Sequence, residues 1–167
     1  MIGLDFQKRG PQLPMYQHPL EAILEIEQTL RQLTLVLMQQ NRELLQQFKI
    51  TPAQFKALQW LYEEGELTIG DLSGKMVLAC STTTDLIDRM ERQGLVERIR
   101  DASDRRVVRV VLLDKGRRLF EDILQAKRRL LQRILQPYPP EAVQRLNLFL
   151  RQLLEDLHVG AVNTTRE

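Results

Sequence analysis

From Pro19 to about Phe48, apolar residues recur at helical spacing: Leu20, Ile23, Leu24, Leu30, Leu33, Leu37, Leu44, Leu45 and Phe48. No Gly or later Pro interrupts them, so the spacing predicts one long amphipathic helix. A helix of that length outgrows the core of a small domain. Part of its apolar face is expected to meet another chain. Thr51 and Pro52 read as the N-cap and first residue of a second helix. Phe55, Leu58, Trp60, Leu61 and Tyr62 supply its apolar content, and Glu63-Glu64-Gly65 ends it. Thr68 is expected to cap a short helix through Leu72 to Lys75. Another helix is expected from about Ser81 to Gln93, with Gly94 at the C′ stop. The pattern then turns strand-like over Leu95 to Arg100 and over Val107 to Leu112, across the polar connection Asp101 to Arg106. Asp114 is the expected cap of a long helix through Leu119, Ile123, Leu130, Ile134 and Leu135. Pro137, Pro139 and Pro140 break it. A last helix is expected from about Glu141 to Leu157, with Val143, Leu146, Phe149, Leu150, Leu153 and Leu154 on its apolar side.

A helix followed by a charged β-hairpin is the plan of a winged helix-turn-helix. The fold class expected is therefore mainly α with a small β-hairpin wing, the winged helix-turn-helix being flanked by N- and C-terminal dimerisation helices. Residues 1–18 are expected to form an arm, 19–48 a dimerisation helix, 49–114 a winged helix-turn-helix DNA-binding domain and 115–167 the C-terminal dimerisation helices. Terminal helices that cannot bury their stripes alone bury them against each other, which across a two-fold axis makes a homodimer. The alternative is a monomer whose terminal helices pack only internally.

Composition narrows this picture. A hydrophobic fraction of 43% supports a core, and 28% charged residues argue against disorder. The net charge of +2 is close to neutral, so any nucleic-acid grip must be local. The single cysteine, Cys80, cannot form an internal disulfide, which fits a reducing compartment. The first residues lack a signal-peptide core, and the densest apolar run, Leu33 to Met38, is too short to span a bilayer. A cytoplasmic protein is expected, with no membrane partner.

The helix from Ser81 carries the most specific chemistry. A helix entering the major groove needs small residues near its start, and Ser81, Thr82, Thr83 and Thr84 are small and hydroxyl-bearing. Simple capping needs only one of them. Leu86, Ile87 and Met90 are spaced for the core. Asp88, Arg89 and Arg92 fall on or near the exposed side. Arg89 is a candidate phosphate contact, with an ordinary solvated face, built on Asp85–Arg89 and Asp88–Arg92 pairs, as the alternative. Between Arg98 and Arg109 stand five arginines (Arg98, Arg100, Arg105, Arg106 and Arg109) against Asp101 and Asp104. Arginines at a wing tip suit the narrow minor groove, and Asp104 is placed to brace Arg105 or Arg106.

Over Leu86 to Gly116 the run LIDRMERQGLVERIRDASDRRVVRVVLLDKG resembles the MarR (multiple antibiotic resistance regulator) family of bacterial transcription factors. The family pattern is L-D-R-L-E-x-x-G-L-V-x-R, then D-x-R, then L-T-x-x-G. The order of elements is similar from about Leu20 to Leu157. This resemblance implies a triangular obligate homodimer on palindromic duplex DNA, commonly a repressor released by a small phenolic or lipophilic ligand or by thiol oxidation. It implies that Ser81 to Thr84 read the major groove and that Asp104 and Arg106 fall on the wing's Asp-x-Arg. Two positions depart from the pattern. Asp85 stands where the family often has Arg or another polar residue, which bears on base preference, and Leu113 stands where it usually has Thr.

Candidate effector-lining residues are Tyr16, His18, Phe55, Trp60 and Tyr62, each equally suited to core or interface. Cys80 is a candidate redox switch because a helix N-terminus lowers a thiol pKa. The competing reading is a buried small hydrophobe. A regulator acting through Cys80, or one with no effector pocket, remains open beside ligand release. An enzyme is disfavoured: the two histidines, His18 and His158, lie in terminal segments, and neither a Cys/His cluster nor a Gly-rich phosphate loop stands in the sequence. No metal or cofactor is expected. A winged helix used only for protein contact would leave the hydroxyls and wing arginines unexplained.

Overall fold

Helix boundaries in this chain are set by local capping chemistry that the sequence announces. The computed structural model describes residues 18–100 and 107–163, with residues 158–163 as helix backbone only. Along it run α1 (Leu20–Gln47), α2 (Pro52–Glu64), β1 (Leu67–Thr68), α3 (Ile69–Met76), α4 (Cys80–Arg92), β2 (Val96–Arg100), β3 (Val108–Leu112), α5 (Asp114–Leu135) and α6 (Pro140–Asn163). Thr51 and Thr68 each close a capping box. The Thr51 hydroxyl accepts from the Gln54 N–H while Gln54 accepts the Thr51 N–H, and Asp71 answers Thr68 in the same way. Hydrogen bonds from the Thr68 hydroxyl, then from its backbone N–H, hold the Asp71 carboxyl below its ordinary pKa. The α3 box is therefore complete above the usual carboxylate range and is lost as pH falls through that lowered value. Gly94 ends α4 at φ 69, with Leu95 N–H reaching the Met90 carbonyl at 3.0 Å and Gly94 N–H the Glu91 carbonyl at 2.9 Å. That is the double closure in which a left-handed C′ residue serves best.

Several boundaries differ from expectation. The α4 helix begins one residue early, at Cys80, with Ala79 as an N-cap that makes no side-chain bond. Asp114 does not cap α5. Leu113 holds the cap position in extended conformation, and Asp114 is the first helical residue, where its charge still favours the helix N-terminus. The last helix runs on past Leu157 to Asn163, because a lone Gly160 is a weak stop. One element was not foreseen. The β1 strand pairs Leu67 with Val110 and Thr68 with Arg109, completing a three-stranded antiparallel sheet in the order β1-β3-β2.

The fold class is the expected one, mostly helical with a small wing sheet. A first compact unit ends at Asn41, and a second begins at Arg42. In the second, Leu45, Leu58, Leu61, Leu72, Ile87, Met90, Val96, Val110 and Ile123 are fully buried. Each such side chain contributes about 1.5–3 kcal/mol of burial. The core thus joins the end of α1, helices α2 to α5 and the sheet. Gly116, near the start of α5, lies against the wing: a Cβ there would stand 2.2 Å from the Leu95 carbonyl oxygen. The same oxygen accepts the Leu113 N–H at 3.0 Å.

Helices α1 and α6 each carry a long line of apolar residues outside the core. On α1, Ile23, Ile26, Leu30, Leu33 and Leu37 are all exposed and are spaced alternately by three and four residues. On α6 the same alternation runs through Val143, Leu146, Leu150, Leu153 and Leu157, the four leucines being exposed. That spacing is the seam of helix-on-helix packing.

Candidate nucleic-acid interface

The α4 helix turns one face to the core and one outward. Thr83, Leu86, Ile87 and Met90 are buried, while Ser81, Thr82, Thr84, Asp85, Arg89 and Arg92 are exposed. Thr83 therefore departs from the expected set of groove-reading hydroxyls. It is fully buried, and its hydroxyl donates to the Ala79 carbonyl at 3.2 Å. It shares the inward face with Ile87 and Met90, four and seven residues on, a helical phase the sequence already contained. The Thr84 hydroxyl donates to the Cys80 carbonyl at 2.8 Å yet stays exposed, with acceptor capacity to spare. With no side-chain cap at Ala79, the start of α4 presents small polar side chains together with the positive end of a helix. Asp85 lies on the outward arc between Ser81 and Arg89.

Charge is wired differently from the sequence expectation. Asp88 does not bind Arg92 side chain to side chain; Arg92 Nε reaches the Asp88 backbone carbonyl at 3.2 Å instead. The Asp88 carboxylate binds Arg98 of β2 at 2.5 Å, and Glu91 binds the same guanidinium at 2.5 Å. Arg98 is thus withdrawn from the five arginines counted toward the wing. Its position was readable, since period-two alternation puts it on the face of buried Val96. Arg109 is half-buried, 3.9 Å from Glu66. Arg100 is exposed. Asp104, Arg105 and Arg106 lie outside the described residues, as does Tyr16.

Cys80 is exposed, with its Sγ 3.2 Å from Ser73 Oγ on α3. The Ser73 hydroxyl already donates to the Gly70 carbonyl at 2.8 Å, so the thiol hydrogen is the one left for the contact between them. Cys80 thus ties the two helices of the motif together.

Of the candidate effector residues, Phe55, Trp60 and Tyr62 lie on α2 in the second unit, and they do not share one side of that helix. Phe55 and Tyr62 both pack on Phe120 of α5, with ring centroids 5.3 Å and 4.8 Å away. Trp60 points to another side of α2, where Lys75 of α3 sits 5.1 Å from its ring centroid. His18 is exposed and belongs to the first unit. Sequence reasoning missed Lys127 of α5, whose ammonium lies 3.9 Å from the Phe55 ring centroid. Burial there lowers its pKa below the ordinary lysine value.

Residues 50–108 match the model of the MarR family. The HTH-type transcriptional regulator YsmB of Bacillus subtilis (strain 168) is 46% identical over 143 residues, covering 86% of this chain and 98% of that protein. A solved structure of a MarR family protein from Bacillus stearothermophilus is 46% identical, covers 85% of this chain and 99% of its own, and superposes with a TM-score of 0.76. The fold is also that of a Staphylococcus aureus MepR mutant bound to an oligodeoxyribonucleotide, at 24% identity, a TM-score of 0.65, and coverage of 79% of this chain and 97% of that one.

Proposed function

Because this chain belongs to the MarR family of DNA-binding transcriptional regulators, we propose that it acts as a homodimeric repressor of palindromic operators, released by a small ligand. The observation that carries the reading is the outward face of α4, with Ser81, Thr82 and Thr84 at an uncapped helix start beside the β2–β3 wing. Such a surface suits a major groove, whose base edges take hydroxyl contacts and whose phosphates take helix N–H groups. Asp85 and Arg89 join that face. An acid at position 85 repels phosphate but accepts from cytosine N4. Asp104, Arg105 and Arg106 complete the grip from the wing. The oligonucleotide complex of MepR supports a DNA partner for this fold. The exposed seams of α1 and α6 support the second subunit, with 19–48 and 115–167 as dimerisation segments.

Selection of binding duplexes from a random pool, with purified full-length protein, tests the reading directly. Recovery of an inverted repeat with half-sites about one helical turn (~34 Å) apart is the expected result. Recovery of no sequence would sink it. Arg106→Ala is expected to weaken binding by about 1–3 kcal/mol and to leave the dimer intact. A gel shift unchanged in the folded variant would remove Arg106 from the interface.

For the effector, Lys127 beside Phe55 supplies a partly desolvated cation next to aromatic rings. That pair recognises an aromatic anion better than a neutral lipid. Salicylate is the expected probe: it should raise the melting temperature of wild type and release DNA, and should do neither in Lys127→Met. Equal responses in the two proteins would exclude this site.

A further inference from the structure

Arg98 belongs to a wing strand but is spent entirely on the helix beside it. Its guanidinium donates to Asp88 Oδ1 and to Glu91 Oε2 at 2.5 Å each, and over 3.4 Å to the Thr84 carbonyl. Glu91 Oε1 also accepts the backbone N–H of Arg98 at 3.0 Å. One carboxylate therefore holds both the main chain and the side chain of the same residue. Asp88 and Glu91 lie three residues apart on α4, beyond the outward Ser81, Thr82, Thr84 and Asp85. The Arg98 side chain is only 24% exposed, against 48% for Asp88 and 38% for Glu91. Burial alone would lower the arginine's pKa. The hydrogen bonds to Asp88 and Glu91 outweigh it and raise the pKa, so the charge is held by its partners.

We propose that Arg98 is a positioning residue for DNA recognition: locked between Asp88 and Glu91, it fixes the wing against α4 so that one subunit engages two grooves in register, without touching DNA itself. The proposal rests on the reading of α4 and the wing as a duplex grip. Its consequences run against simple electrostatics. Near a polyanion, deleting the Glu91 charge should tighten binding, and deleting an arginine that touches phosphate should reduce the salt slope by about one. A positioning role reverses the first and cancels the second, because misplacing donors by a small distance weakens every contact that depends on them.

The test uses full-length Glu91→Ala and Arg98→Met proteins, at a temperature where circular dichroism shows both folded. Affinity is measured for the selected operator and for a random duplex across a salt series. Each variant should bind the operator roughly tenfold more weakly, a loss typical of one coupled pair. Random-duplex affinity should stay within about twofold of wild type, and the salt slope should not change. The double variant should be no weaker than either single one, since the two act as a unit. Should Arg98→Met fail to fold, Glu91→Ala decides alone. Unchanged or tighter operator binding by Glu91→Ala overturns the proposal. So does an Arg98→Met protein that loses random-duplex affinity together with one unit of salt slope. A wild-type protein that selects no duplex defeats the underlying reading instead, and the proposal falls with it.

Discussion

Gly116→Ala is expected to destabilise the folded chain by about 3 kcal/mol or more, the upper range for overpacking. At this chain length that lowers the melting temperature by roughly 6–12 °C. Helix propensity alone predicts the opposite sign, since Ala in a helix is favoured over Gly by about 1 kcal/mol. Steric contact decides the outcome. The added Cβ would meet the Leu95 carbonyl oxygen at 2.2 Å and the Leu112 Cδ1 at 2.8 Å. A leucine methyl can rotate away, but the Leu95 carbonyl cannot, because it accepts the Leu113 N–H that leads into α5. Relief requires α5 to move off the wing, uncovering Phe120 and Ile123, both buried on that helix. Thermal and denaturant unfolding measure the effect. A melting temperature equal to wild type would show that α5 shifts freely, contrary to the packing described.

Leu150→Glu is expected to convert a dimer into monomers and to lower affinity for a palindrome by about two orders of magnitude or more, the usual loss when two linked sites become independent. Leu150 is 55% exposed in the single chain, in the α6 seam with Leu146, Leu153 and Leu157. A glutamate at such an exposed position changes monomer stability by about 0.5 kcal/mol at most. Placed in a subunit interface, the same carboxylate is buried without a partner, at a cost of about 3–5 kcal/mol per copy. The two readings therefore separate cleanly. Sedimentation equilibrium should give a monomer mass, and a half-site duplex should bind as it does to wild type. An unchanged mass and unchanged palindrome affinity would move the interface away from α6.

What the sequence makes legible here is chemistry that acts over one helical turn. Thr51, Thr68 and Gly94 each carry a cap whose partner lies within four residues, and all three hold in the structure. The β1 strand escaped because it consists of two residues whose partners, Arg109 and Val110, stand more than forty positions away. Its extended backbone is also what a helix cap requires, so Thr68 signalled only the helix. At the site, charge counting treated the arginines between Arg98 and Arg109 as equivalent. Packing separates them, because Arg98 follows the buried face of its strand and finds two carboxylates there. Thr83 was lost in a run of similar residues, though its phase with Ile87 and Met90 marks it as inward. On α2, aromatic identity says nothing about which face a ring takes, and Phe55 and Trp60 take different ones.

The bond from the Arg98 main chain to Glu91 has a consequence for the crowded state. With the order β1-β3-β2, β2 is an outer strand, and its outward N–H groups would template an incoming strand from a neighbouring molecule. Glu91 already occupies one of them, and the opposite edge is only two residues long. The wing sheet thus offers stray chains little to zip onto, which resists aggregation at high protein concentration.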